Sequence, residues 1–429
     1  MAQTFKFGNK VWAAKEGAVL AYNDENSNYK PLPFDFTRAS SATRVNKSGL
    51  IETMPTGVAR IDYLDSADGA LLLEPASTNV ITYSEDFSNA SWLKFRVSIT
   101  PNTTISPSGN LNADSLIEDN TNNSHVLRFA FTTNANSYTF SVFAKSFSGN
   151  RKLTLNSSTS NDFAIFDIEN GIVEQTLDID NANIKNYGNG WYRCSVTKAN
   201  NVGTSFDLRL NNGSSDTYLG DGTSGLYIWG AQLEELSYPT SYIPTSGSTV
   251  TRVAETADGS GNSEVFNDSE GVLFGNMSSL YAGGTTTRYL SISDGSFSNI
   301  VSIFFDSAPN TIAGRIAVGG ASIFLNATGQ TQTNYNKIAL KWKVNDYKFY
   351  INGFEVGASV SGGTFPESTL NEISFNYGGV IGAADMYGKT KEVGCYDTAL
   401  TDIELETLTS YRNWISMVNE LNLNIIYNG

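Results

Sequence analysis

Histidine chemistry has one place to happen in this chain. His125, in Asn123-Ser124-His125-Val126, is the single histidine of 429 residues. A Ser-His-Asp or Cys-His arrangement has only that ring to draw on, and a multi-histidine metal site is excluded. Carboxylates are the other source of chemistry, because two of them suffice for glycoside hydrolysis and several oxygen donors suffice for calcium. Glu74, Glu85, Asp86, Glu234 and Glu235 stand at the ends of apolar runs, and Asp294, Asp306 and Asp385 stand near turns. Glu85, Asp86, Glu234, Asp294, Asp306 and Asp385 are the candidate calcium ligands; helix caps, turn residues and solvated charges are the competing reading. No glycine-rich phosphate loop lies between a strand and a helix, so nucleotide binding lacks a motif.

Aromatic side chains offer a different chemistry. The C–H faces of a sugar ring pack on the electron-rich faces of aromatic rings, and the chain has six Trp and 21 Tyr. In Leu226 to Leu233 both strand parities are apolar, with Leu226 and Ile228 on one side and Tyr227 and Trp229 on the other. Such a strand is either covered on both faces or partly open for binding. Coverage by the N-terminal segment is the expectation. Tyr227 and Trp229 are nevertheless candidate glycan contacts, together with Tyr281, Tyr377 and Tyr387, and more weakly Trp342.

The elements that must position these residues read as strands. Tyr138, Phe140, Val142 and Ala144 share one face of an alternating run. Phe163 to Glu169 and Ile172 to Thr176 flank Asn170-Gly171, a strong hairpin signal. Phe206 to Leu210 alternates and ends at Asn212-Gly213. Further on, Glu270 to Asn276, Arg288 to Gly295, Ile300 to Phe305 and Tyr347 to Val356 repeat the pattern, and Ile338, Leu340, Trp342 and Val344 share one parity. Thr401-Asp402-Ile403-Glu404 is a capping box, with Leu408, Tyr411, Ile415 and Val418 at helical spacing behind it. The spacing predicts one helix over 401–418. Leu421 to Tyr427 reads as a strand without a neighbouring partner.

Turn signals every 8–12 residues or so are those of antiparallel sandwiches. The expected fold is all-β: two consecutive antiparallel β-sandwiches, with an N-terminal attachment segment at 1–78, a first sandwich at 79–255, a flexible linker at 256–264, and a second sandwich with its helix at 265–429. Residues 1–78 lack the strand rhythm of the remainder. Val11 to Ala14 and Ala18 to Tyr22 fit short strands or a helical turn, and Lys30-Pro31-Leu32-Pro33 is extended. An extension of the following sandwich is the alternative to an attachment segment.

Several of these words occur together in a known family. Gly190-Trp191-Tyr192-Arg193, then Tyr227-Ile228-Trp229-Gly230-Ala231-Gln232-Leu233-Glu234, Pro239-Thr240-Ser241-Tyr242-Ile243-Pro244-Thr245 and Thr251-Arg252 follow in order. Upstream stand Phe36-Thr37-Arg38-Ala39-Ser40-Ser41-Ala42-Thr43-Arg44-Val45, Leu72-Leu73-Glu74-Pro75 and Thr82 to Phe87. This stretch, about residues 36 to 252, resembles a module of tailed-bacteriophage structural proteins. The resemblance implies membership of a virion, as a tail or head fibre or spike, and a jelly roll like those of carbohydrate-binding modules. Phe349-Tyr350-Ile351-Asn352-Gly353, Val380-Ile381-Gly382 and Lys391 to Asp402 resemble the laminin-G/concanavalin-A-like family over about 265 to 410. Glucanases of that architecture carry a Glu-x-Asp-x-(x)-Glu strand, and no such run is present there; the nearest acids, in Thr401 to Glu406, open the helix.

Composition fits this reading. The net charge is −15, which argues against coating nucleic acid. No run approaches 18 apolar residues and the N-terminus has no apolar signal core. Cys194 and Cys395 lie on apolar parities in separate sandwiches, as buried free thiols. The expectation is a non-enzymatic virion protein adhering to a bacterial surface glycan. It would join other virion proteins through its N-terminal segment and assemble as a homotrimer. A purely structural connector and a polysaccharide depolymerase are the alternatives.

Overall fold

A computed structural model describes residues 3–24, 29–157 and 162–421. Their strands form two antiparallel β-sandwiches, as the turn spacing leads one to expect. The chain does not fill them in order. One unit is made of the described residues within Met1–Ala39, Pro55–Pro75 and Ala254–Gly429; the other is made of Ser40–Met54 and Ala76–Val253.

In the first unit the larger sheet runs Thr256–Asp258, Lys30–Thr37, Ala18–Asn23, Phe5–Gly8, Gly388–Tyr396, Glu270–Ser279, Asn336–Lys343, Tyr347–Ile351 and Phe354–Ser359. Phe5 and Phe7 alternate inward and pair with Cys395 and Val393, so the first described strand is an interior strand of the sheet built by the last residues. Residues 3–39 are therefore not a separate attachment segment: their short strands show no long alternation, and they complete the second sandwich rather than extend the first. Pro31 and Pro33 are tolerated because their strand pairs with Ala18–Asn23 on one side, while Thr256–Asp258 covers only Asp35 to Thr37 on the other. The stretch read as a linker is ordered too. Its glycines serve turns: Gly259 and Gly261 have φ of 71° and 88°, and a Cβ on Gly261 would lie 2.6 Å from the Phe266 ring.

Facing this sheet is a five-stranded one: Ala321–Thr328, Thr311–Val318, Ile300–Phe305, Arg288–Ser293 and Glu372–Ser374. Leu273, Met277, Leu340, Val393 and Cys395 from the large sheet meet Leu290, Ile292, Val301, Ile303 and Phe305 from the small one. The capping box forms as the sequence predicts, with Thr401 accepting from the Glu404 N–H and Glu404 accepting from the Thr401 N–H. The helix is two helices, Asp402–Thr409 and Trp414–Glu420. Ser410 is extended, and Asn413 and Ser416 exchange reciprocal side-chain bonds that start a new helix. Ile415 is consequently exposed rather than part of a continuous stripe. Apart from Leu421, the terminal strand expected over 421–427 lies outside the described residues.

Four buried charges tie together distant parts of this unit. Arg38 Nη1 donates to Glu255 Oε1 at 2.7 Å, and Arg60 Nε donates to the same oxygen at 2.8 Å. Arg60 Nη2 bridges Glu255 Oε2 and Glu74 Oε2, and the Glu74 N–H donates to Glu255 Oε2 at 3.0 Å. Two guanidinium groups thus balance two carboxylates. Burial opposes the Arg60 charge, but Glu255 and Glu74 outweigh it and raise its pKa.

In the second unit one sheet runs Val97–Ile105, Leu111–Glu118, Gly225–Glu234, Tyr138–Ser148, Tyr192–Lys198 and Asn181–Asn186. The other runs Trp92–Phe95, Asn122–Ala130, Ser205–Asn211, Lys152–Ser157, Phe163–Asp167 and Ile172–Leu177, with Thr217–Leu219 also paired to Asn122–Ala130. Phe140, Val142, Cys194, Val196 and Ile228 pack on Leu127, Leu153, Leu155, Phe206 and Leu208. Both cysteines are free and buried, as their parity requires. Gly230 sits at a bulge where the Tyr138–Ser148 pairing skips a residue; its φ is 62°, and a Cβ there would lie 3.0 Å from Phe143 and 3.2 Å from Tyr242.

Two stability outcomes follow. Glu255→Gln leaves Arg38 and Arg60 short of a buried counter-charge and should destabilise the first unit by about 3–5 kcal/mol in denaturant unfolding; a loss below 1 kcal/mol or so would contradict the network's role. Gly230→Ala combines left-handed strain with overpacking and should cost the second unit about 1–3 kcal/mol, read as a lower unfolding midpoint.

Candidate functional site

The outer face of the five-stranded sheet carries a continuous chain of aromatic rings. Cross-strand register sets Tyr289 opposite Phe304 and Phe304 opposite Ala313, while Arg315 lies opposite Phe324. Inward residues alternate with these, so the same period that builds the core turns this row outward, where Tyr289, Phe304 and Arg315 are buried by the side chains around them. Phe297 comes from the turn after Arg288–Ser293, and Tyr377 from the loop after Glu372–Ser374, a loop tied by the Tyr377 N–H donating to the Ala383 carbonyl at 3.0 Å.

The rings touch in sequence. Phe297 stacks on Tyr377 at 4.3 Å and 12°, Tyr377 meets Tyr289 at 4.4 Å, and Tyr289 stacks on Phe304 at 4.6 Å and 21°. Phe304 meets Phe324 edge-on at 6.4 Å. Arg315 lies over Tyr377 at 5.1 Å and over Phe324 at 5.6 Å. Its guanidinium is fixed by hydrogen bonds to the Tyr377 hydroxyl, the Phe297 carbonyl and Ser322 Oγ. A cation so placed, itself buried, holds the rings together. Phe297 is 41% exposed and Phe324 53%, so the two ends of the row present apolar surface to solvent. Burial raises the Tyr289 pKa, with Thr287 opposing and Tyr377 adding to it, so this hydroxyl stays protonated across the neutral range.

Of the sequence candidates, Tyr377 joins this row. Tyr387 is half-buried and donates to Asp385 Oδ2 at 3.0 Å; Tyr281, also half-buried, lies beside Gly284. Trp342 is buried in the core with its N–H on the Asn267 carbonyl. Tyr289, Phe297, Phe304, Phe324 and Arg315 were missed. Strand alternation in Tyr289-Leu290-Ser291-Ile292 signalled an outward Tyr289, but neither the ring stacking nor the arginine is visible before the strands pair.

In the second unit Trp229 is 1% exposed. Tyr242 covers it at 4.6 Å and Phe143 at 5.3 Å. The cover is Pro239–Thr245, held by Gln232 accepting the Ile243 N–H, Glu234 accepting the Thr240 N–H, and Thr43 of the 42–54 hairpin donating to the Tyr242 carbonyl. Coverage of this face is what its double apolar parity leads one to expect, and residues 40–54 contribute to it. Tyr227 remains half-buried beside Phe147 at 4.8 Å.

The acidic candidates are largely occupied. Glu234 accepts from Ser77 and Thr240, Asp86 from Ser88 and Asn89, Asp294 from Ser296 and Asn299, and Asp306 from Ala308. Burial works to raise the Asp294 pKa, but the Ser296 and Asn299 hydrogen bonds outweigh it and lower it. Glu85 lines a cavity of ≈ 410 Å³ with Asp86 and Asn112, accepting from Tyr242 and Asn112. The Trp229 N–H faces Glu85 outside hydrogen-bond geometry. Nearby Asp114 is pushed up to about 6, by burial first and then by Asp86 and Glu85 against two backbone N–H donors. Among the described residues no three carboxylate, histidine or cysteine side chains converge as metal ligands. His125 is buried, its Nδ1 on the Arg96 carbonyl at 2.9 Å.

No family model matches the chain, and no curated protein matches it. Solved structures that it resembles include the carbohydrate-binding module CBM40 of the Ruminococcus gnavus IT-sialidase bound to alpha2,3 sialyllactose, at 17% identity, covering 36% of this chain and 94% of that one with a TM-score of 0.30. Domains LG4-5 of the mouse laminin alpha1 chain align at 10% identity, over 66% of this chain and 90% of that one, with a TM-score of 0.24. The N-terminal CBM22-1-CBM22-2 tandem domain of Paenibacillus barcinonensis Xyn10C aligns at 12%, over 75% and 98%, with a TM-score of 0.23. At such scores the fold assignment rests on the strand pairing itself.

Asp258 gives the first unit a pH dependence. Its Oδ1 accepts from Asn376 Nδ2 at 2.8 Å while Oδ2 has no partner. Burial first, then Asp385, push its pKa up to about 7. An unfolded aspartate titrates near ~3.9, so between these values the native state holds a proton that the unfolded state lacks, and stability falls as pH rises. Asp258→Asn mimics the protonated form. Its stability should gain steadily on the parent's between pH about 4 and about 7 and hold that lead above, measured by denaturant unfolding across the series. A constant difference at every pH would remove Asp258 as the cause.

Proposed function

We propose that this chain is a non-enzymatic adhesion protein of a bacteriophage particle, a tail or head fibre or spike that binds bacterial surface glycans through the aromatic face of the five-stranded sheet. The observation that carries the glycan reading is the unbroken ring row from Phe297 to Phe324, with Arg315 locked against Tyr377. The exposed faces of Phe297 and Phe324 accept sugar C–H surfaces, and the exposed Ser322 hydroxyl offers a polar contact for ring substituents, while the buried Arg315 holds the rings in place. The order of the words between residues 36 and 252 supports the virion assignment. Weak single sites become effective adhesion when copies are linked, so the working form is a homo-oligomer, a trimer.

Binding of the purified protein to a panel of bacterial surface polysaccharides tests this. Selective, saturable binding is expected, and Phe297→Ala or Phe324→Ala should weaken it about tenfold while unfolding stays near the parent's, because both rings are exposed. Failure of the folded, assembled protein to bind any glycan would favour a connector that binds only virion proteins. Falling viscosity of a capsule preparation would instead mark a depolymerase. Light scattering reports the assembly, and a monomeric mass would count against the trimer.

A further inference from the structure

The larger sheet of the first unit has its own cleft, of ≈ 610 Å³, on the face that carries the two helices. Its floor is set by register. Asn276 stands directly opposite Glu392 on one neighbouring strand and Lys337 on the other, so all three side chains share that face. Phe274, two residues earlier on the same parity, packs with Tyr396, Leu400 and Leu405 and makes one wall apolar.

Two features set this cleft apart from ordinary surface. Asn276 is 7% exposed and lines the cleft, yet its Oδ1 accepts no hydrogen bond. A buried acceptor without a donor is costly, and a ligand O–H or N–H would satisfy it. The second feature is charge. Within a chain of net charge −15, the cleft gathers Lys337, Lys391 and Arg412 around Glu392. Of the cleft's other acids, Asp65 is answered by Lys389 at 2.5 Å and Asp68 by Lys10, also in the cleft lining, at 3.1 Å. Lys337 Nζ is steadied by the Ser410 carbonyl and the Tyr411 ring, and Lys391 Nζ lies 3.9 Å from the Tyr335 ring centroid. Burial raises the Glu392 pKa against the opposing pull of Lys6, Lys337 and Arg412. Arg412, exposed at the rim, makes no hydrogen bond or ion pair with the described residues.

We infer that this cleft binds a small hydroxylated anion, a sugar acid of monosaccharide size, with its carboxylate on Arg412 and a ring hydroxyl donating to Asn276 Oδ1. Guanidinium matches a planar carboxylate in bidentate fashion, and the volume lies within the range of small-ligand sites, roughly 300–1,000 Å³. The site is independent of the aromatic face.

Calorimetric titration of the full chain with sodium glucuronate, glucose, sodium acetate and inorganic phosphate is the test. Glucuronate should bind at one site per chain while glucose and acetate do not, and added salt should weaken it. Arg412→Ala, at an exposed position that leaves folding intact, should weaken glucuronate about tenfold. Asn276→Ala should weaken it by about fivefold, with circular dichroism confirming the fold. Phe297→Ala should leave it unchanged, which separates this site from the adhesion face. Equal binding of glucose, phosphate binding as tight as glucuronate and indifferent to Asn276→Ala, or no effect of Arg412→Ala would each overturn the assignment, as would absence of glucuronate binding.

Discussion

The first unit depends on four charges that have no access to water. Arg38, Arg60, Glu74 and Glu255 come from three separated segments of the chain, and each of those segments holds part of the same sandwich. Taking such ions out of water is expensive, and their mutual attraction compensates only when every oxygen and N–H finds a partner. Here Glu255 receives both guanidinium groups and the Glu74 N–H, and Arg60 spans both carboxylates. The arrangement is specific rather than merely adhesive. A segment that returned one residue out of place would leave a buried charge alone, so the network selects the pairing that threads residues 30–37 and 256–258 into one sheet.

The same strand rule, alternation with period two, produces opposite outcomes on two outer faces. On the Gly225–Glu234 strand the outward Trp229 is roofed by Tyr242, and the polar partners Gln232 and Glu234 are used to pin that roof. On the five-stranded sheet the outward Tyr289 and Phe304 are buried as well, but the backbone over them is reduced to the loop of Ala384, whose carbonyl accepts the Tyr289 N–H. Phe297, Tyr377 and Phe324 surround them instead, with Arg315 binding the group together and two rings left facing solvent. A rigid aromatic surface whose side chains are already immobilised loses little entropy on meeting a ligand, which favours weak but selective contacts.

Buried carboxylates without full compensation recur in both units. Asp114 and Asp258 are pushed up to about 6 and about 7, burial being the first cause in each, and Glu85, Glu372, Asp385 and Glu392 are raised as well. Each such group costs stability at neutral pH. Glu118, Asp167, Asp221 and Asp294 are shifted the other way, their hydrogen bonds outweighing burial, so the two sets of acids act in opposite senses as pH falls.

Alternation, hairpin signals and the capping box determined much of this protein from sequence alone. Asn170-Gly171, Phe140 with Val142, Ile338 with Leu340 and Trp342, and Thr401 with Glu404 behave as their local chemistry requires. These are short-range rules, and a strand's period reports which face is buried without reporting which strand lies beside it. Tertiary structure alone decided that Phe5–Gly8 lies between Ala18–Asn23 and Gly388–Tyr396, that Glu255 belongs to an ion network of the first unit rather than to the sandwich of residues 79–255, and that Tyr377 sits on Phe297. Asn276 reads as one polar residue in an apolar strand until Glu392 and Lys337 are set beside it. Those outcomes depend on pairing across more than a hundred residues of chain in some cases and on packing between loops in others, and neither leaves a periodic trace in the sequence.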